Sequence, residues 1–372
     1  MKIAFLTLGC KLNYAETSTY ERGFVSAGLE VVGWEEKADV YLVNTCSVTE
    51  RAEKKCRNVI RKVHRISPEA RIVVTGCYAE LRRAELEAIE GVALVFGAVE
   101  KTNVVSRTLE LLGERAPVAD EQDILRAYSS EERTRSFLKV QDGCNNFCAY
   151  CTVPYARGVS RNITIADAVS QAREIAAKGI KEIVITGVNT GDFGRTTGET
   201  FLELLKRLND VEGIERYRIS SIEPNLITED IVDWIASGTK FQPHFHIPLQ
   251  SGSDEMLSRV RRRYTTGLFA NRIDYIRSRM DPVPGTPQGN LKPYVFFGID
   301  VIAGLPGETE DLFEETYSFL KDRIEPAFIH VFPIPGDRVR WPRDGKTRSG
   351  IPLRLKGSPG SRLSAESCIP PS

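Results

Sequence analysis

The stretch SFLKVQDGCNNFCAYCTVPYARG, residues 136–158, decides how this chain is read. It begins as a short apolar strand and runs straight into three cysteines in eight positions, Cys144, Cys148 and Cys151. Zinc sites held by cysteine favour Cys-x2-4-Cys pairs, two of which close four ligands. No second pair follows; the one later cysteine is Cys368, in the final segment. Three thiolates on a cubane [4Fe–4S] cluster leave one iron open, which suits a cluster that must bind a substrate or cofactor. A structural zinc and three ordinary core cysteines are the competing readings.

Downstream of the loop, strands and helices alternate. The strands are SFLKVQDG, EIVITGVN, RYRISSIEP, HFHIPLQ, VFFGIDVIAGLPG and AFIHVFP, and helical spacing lies between them in IADAVSQAREIAAKG, TFLELLKRLND and DLFEETYSFLKD. Six such units predict an open, partial (β/α)6 barrel, short of the eight that close one. The triple-cysteine loop then sits at the functional, carboxyl edge of the first barrel strand. The proline-bearing segment MDPVPGTPQGNLKPY, 280–294, reads as a surface loop.

Upstream, KIAFLTLGC, DVYLVNTC, RIVVTGC and VALVFGAV are short strands separated by the helical stretches AETSTYERGFVSAG and ERAEKKCRNVIRKVHRI. Continuous apolar strands in a βαβα series predict a parallel sheet covered on both faces. Cys10, Cys46 and Cys77 each end a different one of these strands. That edge is where open α/β sheets bind ligands, so the three thiols either converge or are separate buried cysteines.

The bulk numbers set limits. With 372 residues, 41% hydrophobic and 27% charged, the chain predicts a globular protein of two or three domains. The formal net charge is zero, so local patches must carry any attraction to a polyanion. No apolar run approaches the ~18 residues a membrane span needs, and MKIAFLTLGCKLNYAE reads as a first strand, not an export signal. In the reducing compartment that follows, the cytoplasm, the eight cysteines are expected as metal ligands or buried thiols, not disulfides. The expected division is 1–115, a linker at 116–134, 135–333, and a disordered tail at 334–372 that holds 17 Pro, Gly or Ser in 39 residues and eight basic residues against three acidic.

Cys144-x3-Cys148-x-Tyr150-Cys151 resembles the signature of radical S-adenosylmethionine (SAM) enzymes, in which the open iron is chelated by SAM. ITGVNTGD at 185–192, SSIEP, HIPLQSGSD and GIDVIAGLPGE at 298–308 follow in the strand order of that family. By this resemblance Tyr150, Gly187, Asn189, Glu223, Gln250 and Gly304 are expected on the SAM side of the site. TLGCKLNYAE, NTCSVT and VTGCYAE look like the amino-terminal domain of the methylthiotransferases, which implies that Cys10, Cys46 and Cys77 hold a second [4Fe–4S] cluster. Cys56 matches no ligand position. The fold class implied is α/β: a flavodoxin-like parallel sheet followed by the open partial barrel.

The resemblance implies insertion of a methylthio group at an unactivated C–H bond. Such a bond offers nothing to polar catalysis, so two clusters and SAM would supply radical chemistry, and no general base is nominated. TLGCKLNYAET and QDGCNNFCAYCTVPYARGVSRN look most like the branch acting on threonylcarbamoyladenosine 37 of transfer RNA. The branches acting on isopentenyladenosine 37 and on a ribosomal-protein aspartate are the alternatives; the first usually has Gln-Met where Lys11-Leu12 stands. A non-catalytic iron–sulfur or zinc protein that binds RNA is the alternative of another class. Partners implied are the tRNA anticodon loop and an electron donor such as flavodoxin or ferredoxin, with no membrane. Arg157, Arg161 and the run Arg259, Arg261, Arg262, Arg263 are candidate phosphate contacts. His244 and His246 share a strand face and read as pocket lining. The resemblance stops near residue 333, before the family's small TRAM-like RNA-binding barrel, so a truncated or frame-shifted chain with weakened RNA affinity, and with compromised activity, is expected, a lineage-specific tail being the alternative.

Overall fold

The computed structural model describes residues 1–47, 50–115, 124–130, 134–281 and 295–333. Residues 282–294 of the loop expected at 280–294, much of the linker and the tail from 334 fall outside these residues.

The first unit contains β1 (Lys2–Thr7), α1 (Lys11–Ser26), β2 (Glu30–Val32), β3 (Val40–Thr45), α2 (Glu50–Ile66), β4 (Arg71–Gly76), α3 (Cys77–Leu81), α4 (Arg83–Glu87), β5 (Val92–Phe96) and α5 (Val104–Leu111). Its strands pair in parallel in the order β2-β1-β3-β4-β5, the flavodoxin-like order, whose switch point lies between β1 and β3. Every residue of β3 is buried, as a central strand with helices on both faces requires. Alternate side chains feed two cores. Tyr41, Val43, Ile72 and Val74 meet Ile60 and Val63 of α2, while Leu42 and Val73 meet Tyr20 and Phe24 of α1.

The second unit runs β6 (Ala127–Tyr128), β7 (Ser136–Lys139), β8 (Gln141–Asp142), α6 (Val153–Arg157), β9 (Arg161–Asn162), α7 (Ile165–Ala177), β10 (Glu182–Thr186), α8 (Phe201–Asn209), β11 (Arg216–Ile219), α9 (Glu229–Ala236), β12 (His244–Gln250), α10 (Asp254–Arg259), α11 (Thr266–Met280), β13 (Phe296–Ala303), α12 (Glu310–Ser318) and β14 (Phe328–Pro333). Strands β7, β10 and β11 are parallel, as are β12, β13 and β14. Between β11 and β12 the seam is reduced to a Tyr217–Phe241 bridge and a bond from the Ile222 amide to the His246 carbonyl at 3.1 Å. Six parallel strands curve without closing, as expected. Thr164, Thr200, Thr228, Thr265 and Thr309 each accept a backbone N–H three residues on, starting α7, α8, α9, α11 and α12.

The outward side chains of the barrel strands, among them Leu138, Ile183, Ile185, Tyr217, Ile247 and Ile299, pack against these helices. The inward side chains meet the first unit. Phe137 and Val184 pack with Tyr14 and Ala15, so α1 fills one half of the concave face. The other half, β12 to β14, keeps its inner face toward the lumen.

Candidate cluster and cofactor site

Cys10 caps the N-terminus of α1 just past β1, Cys46 follows β3, and Cys77 opens α3 directly after β4. Three adjacent parallel strands therefore deliver three thiols to one edge, at the switch point. The delivery depends on glycine. Gly76 has φ +104, and a Cβ there would lie 2.3 Å from the Thr45 carbonyl oxygen, so the chain turns from strand to Cys77 only because position 76 has no side chain. The Cys10 thiol donates to Asn13 Oδ1 at 3.2 Å. Asn13 Nδ2 in turn donates to Asn44 Oδ1 at 2.6 Å and to the Thr45 carbonyl at 3.1 Å, fixing the first thiol against the strand that carries the second.

The second triad sits in the loop between β8 and α6. Gly143, φ +73, turns the chain beneath Val159, whose carbonyl oxygen would be 2.0 Å from an added Cβ, and the Cys144 amide donates to the Gly158 carbonyl at 3.1 Å. The Asn146 amide donates to Cys144 Sγ at 3.5 Å. Burial pushes the thiols of Cys144 and Cys148 upward and that of Cys151 to about 12. These thiols stay protonated at neutral pH until a metal displaces the proton.

The seven cysteines among the described residues are all free. In neither triad do the three sulfurs lie mutually within 4.8 Å, the separation met by just one His/Cys/Asp/Glu group there, His246, Asp300 and His330. A tetrahedral zinc, with Zn–S of about 2.3 Å, brings its sulfurs to roughly 3.8 Å from one another. Neither triad is gathered for one tetrahedral ion, and three thiols with no fourth protein ligand among the described residues are the donor set of a cluster that keeps one iron open.

Around the second triad five of the six expected SAM-side residues form one connected set. Tyr150 donates to Gln250 Oε1 at 2.9 Å and accepts from Arg262 at 2.7 Å. Arg262 also donates to Glu223 at 2.6 Å, and Asn146 Nδ2 donates to the same carboxylate at 2.9 and 3.0 Å. The Glu223 amide donates to Asn189 Oδ1 at 3.3 Å, and the Asn189 amide to Gln141 Oε1 at 3.0 Å. Gly187 lies against Gln141, where a Cβ would come within 2.9 Å of its Oε1. Gly304 stands apart. Its amide donates to Glu308 at 2.7 Å, and its neighbours Ile302 and Leu305 belong to the small core against which Tyr150 packs.

Two expected phosphate contacts need correction. Arg157 and Arg262 do not face solvent: Arg157 is 2% exposed, and Arg262 is held between Glu223 and Tyr150. A lone arginine inside a protein needs carboxylates, and both have them. Asn146 and the inward role of Arg262 were missed; the polar pair between Cys144 and Cys148 is the signal for the first, and the second has no local signal. Cys56 is buried, donates to the Cys46 carbonyl at 3.7 Å and is pushed up to about 11 by burial. That is the ordinary thiol expected.

Arg157 joins the two triads. Its guanidinium donates to Glu16 at 3.1 Å and Asn13 at 3.0 Å in α1, and to Asp142 at 2.9 Å beside the cysteine loop. Lys101 and Lys139 bind the same Glu16 oxygen, each at 3.0 Å, and Lys139 also binds Asp142 at 3.0 Å. Burial alone would raise the Glu16 and Asp142 carboxyls. The cations around them instead hold both well below the usual range: Lys101, Lys139 and Arg157 for Glu16, and chiefly Arg157 and Lys139 for Asp142.

An open barrel whose first loop carries three cysteines for a cluster defines the class of radical SAM enzymes, and residues 138–320 match the family model described as Radical SAM superfamily. Residues 2–97 match a second, described as Uncharacterized protein family UPF0004. The chain is 40% identical over 341 residues to the threonylcarbamoyladenosine tRNA methylthiotransferase MtaB of Bacillus subtilis, covering 89% of this chain and 73% of that one. To the MtaB of Aquifex aeolicus it is 36% identical over 364 residues, covering 96% and 85%. The chain belongs to the radical SAM methylthiotransferase family. In fold it resembles the radical SAM methyltransferase TsrM of Kitasatospora setae, solved with tryptophan and a SAM analogue, at a TM-score of 0.62 and 15% identity over 89% of this chain and 72% of that one. No helix among the described residues is long and apolar enough to cross a membrane.

Proposed function

We propose that this enzyme inserts a methylthio group at C2 of N6-threonylcarbamoyladenosine 37 in the anticodon loop of transfer RNA. The observation that carries the reading is the pair of cysteine triads, each past the carboxyl ends of its own parallel strands, in two units tied together by one buried arginine that binds Asn13 and Glu16 on one side and Asp142 on the other. Two relatives at 40% and 36% identity that carry the threonylcarbamoyladenosine name support the substrate.

In this reading residues 1–115 form the unit whose Cys10, Cys46 and Cys77 hold an auxiliary [4Fe–4S] cluster. Residues 135–333 form the unit whose Cys144, Cys148 and Cys151 hold the cluster that binds SAM. Bound, the two clusters and SAM supply the one-electron chemistry that an unactivated C–H bond demands. The chain's own part is to position and to exclude. Tyr150, Glu223, Gln250 and Asn189 present hydrogen-bonding groups beside the second triad, and Gly187 lets Gln141 pack close enough to hold the Asn189 amide. Helix α1 closes half of the lumen against water. Electrons come from a flavodoxin or ferredoxin, and the reaction belongs to the cytoplasm, where the tRNA is.

The test is anaerobic reconstitution followed by iron and sulfide counts, SAM cleavage and nucleoside mass analysis of tRNA from cells lacking and then regaining the gene. About eight irons per chain, with the methylthio nucleoside lost and restored, is the expected result. Zinc alone in the purified chain sinks the proposal.

A further inference from the structure

The inner face of β12 to β14 is built differently from the rest of the barrel. His246, on β12, faces Asp300 on β13 with Nε2 to Oδ1 at 2.7 Å, and His330 on β14 lies beside the same oxygen at 3.6 Å. His244 stacks on Phe296 with ring centroids 4.8 Å apart. The outward neighbours Phe245, Ile247, Phe297 and Ile299 belong to the main core, so this row of rings lines the lumen.

Lys11 lies one residue past Cys10, at the first position of α1, the helix that packs into the facing half of the lumen. Its ammonium senses Arg135, Asp300, Cys10 and Arg218 as electrostatic neighbours, and His244 senses Lys11 in turn. The other charges in this part of the lumen are engaged. Asp300 is held by the two histidines, and Arg218 and Arg135 lie 3.1 and 3.9 Å from Glu182. Among the described residues Lys11 alone of these cations has neither a hydrogen bond nor an ion pair. A half-buried ammonium with no direct ion pair invites an anion from outside.

We propose that Lys11 receives the carboxylate of the threonylcarbamoyl arm, and so selects an acidic N6 substituent on the substrate adenine. The assignment rests on the function proposed above. In an N6-carbamoyl adenine the distal ureido N–H can donate to N1, closing a six-membered ring. The acid-bearing arm then lies along the N1–C2 edge, beside the carbon that reacts. A cation next to a ligand of the auxiliary site is placed to meet an arm folded that way, and an ammonium–carboxylate hydrogen bond has the strength to discriminate.

The experiment uses reconstituted holoenzyme and fluorescent anticodon stem-loops carrying N6-threonylcarbamoyladenosine or its methyl ester, read by anaerobic anisotropy. Wild type should bind the acid about ten-fold more tightly than the ester. Lys11→Gln should bind the two equally, and Lys11→Arg should retain the preference. Equal binding by wild type overturns the assignment whatever the variants do. Persistence of the preference in Lys11→Gln with wild-type iron content does so too. A separate readout guards the underlying reading, because mass analysis of the product nucleosides shows which stem-loop wild type converts. Conversion of an isopentenyl stem-loop and not of the acid overturns the proposed function and the assignment together; conversion of the acid with unchanged selectivity in Lys11→Gln overturns the assignment alone.

Discussion

Arg262 is the residue whose surroundings say most about its work. It sits inside the protein with Glu223 on one side and Tyr150 on the other, and burial opposes its charge while Tyr264, Tyr150, Cys148 and Glu223 support it. Removing it strands the Glu223 carboxylate. Arg262→Met is expected to cost about 3–5 kcal/mol in denaturant unfolding and to weaken SAM binding in calorimetry. Tyr150→Phe removes one hydroxyl and is expected to cost only about 1 kcal/mol. At the cysteines, Cys77→Ala should lose about four of eight irons, while Cys56→Ala keeps them all in the same colorimetric count. The cysteines were legible because residue type and spacing carry their chemistry. Arg262 was not, because its partner Glu223 lies 39 residues away and nothing near it in the chain marks it as turned inward.

Among the elements, α2 spans 50–66 and β12 spans 244–250 as their apolar periods predict. β2, β6, β8 and β9 are two or three residues long, too short to show any period. Helix α1 is a subtler case. Its start at Lys11 was illegible because much of its buried face is polar: Asn13, Glu16, Thr17 and Ser18 are all inside. Hydropathy cannot find a helix that buries charges against another domain's charges. The glycine turns before two of the cysteines belong to this scale as well. Gly76→Ala and Gly143→Ala force a side chain into backbone atoms at 2.3 and 2.0 Å. Each should destabilise its own unit by about 2 kcal/mol or more and halve the iron count while sparing the other cluster. Iron-to-protein ratio and a thermal melt check both.

For the whole molecule, the decisive feature is the closed group in which Lys101, Lys139 and Arg157 face Glu16 and Asp142. Because both carboxyls are depressed in the folded state, their stabilisation is complete above the ordinary carboxylate range of about 4 and is lost as pH falls through their lower folded values. Unfolding free energy should therefore be level from pH 8 to about 5 and fall below that; Glu16→Gln should flatten the fall and cost about 3–5 kcal/mol at pH 7. Urea titrations across this range are the check. The charge group also bears on how separable the two units are. Asn13, Glu16 and Lys101 belong to the first unit, and Lys139, Asp142 and Arg157 to the second. A chimera that exchanges one unit alone for that of another protein leaves buried charges without their partners at this seam, so the two units are expected to be transplantable only together.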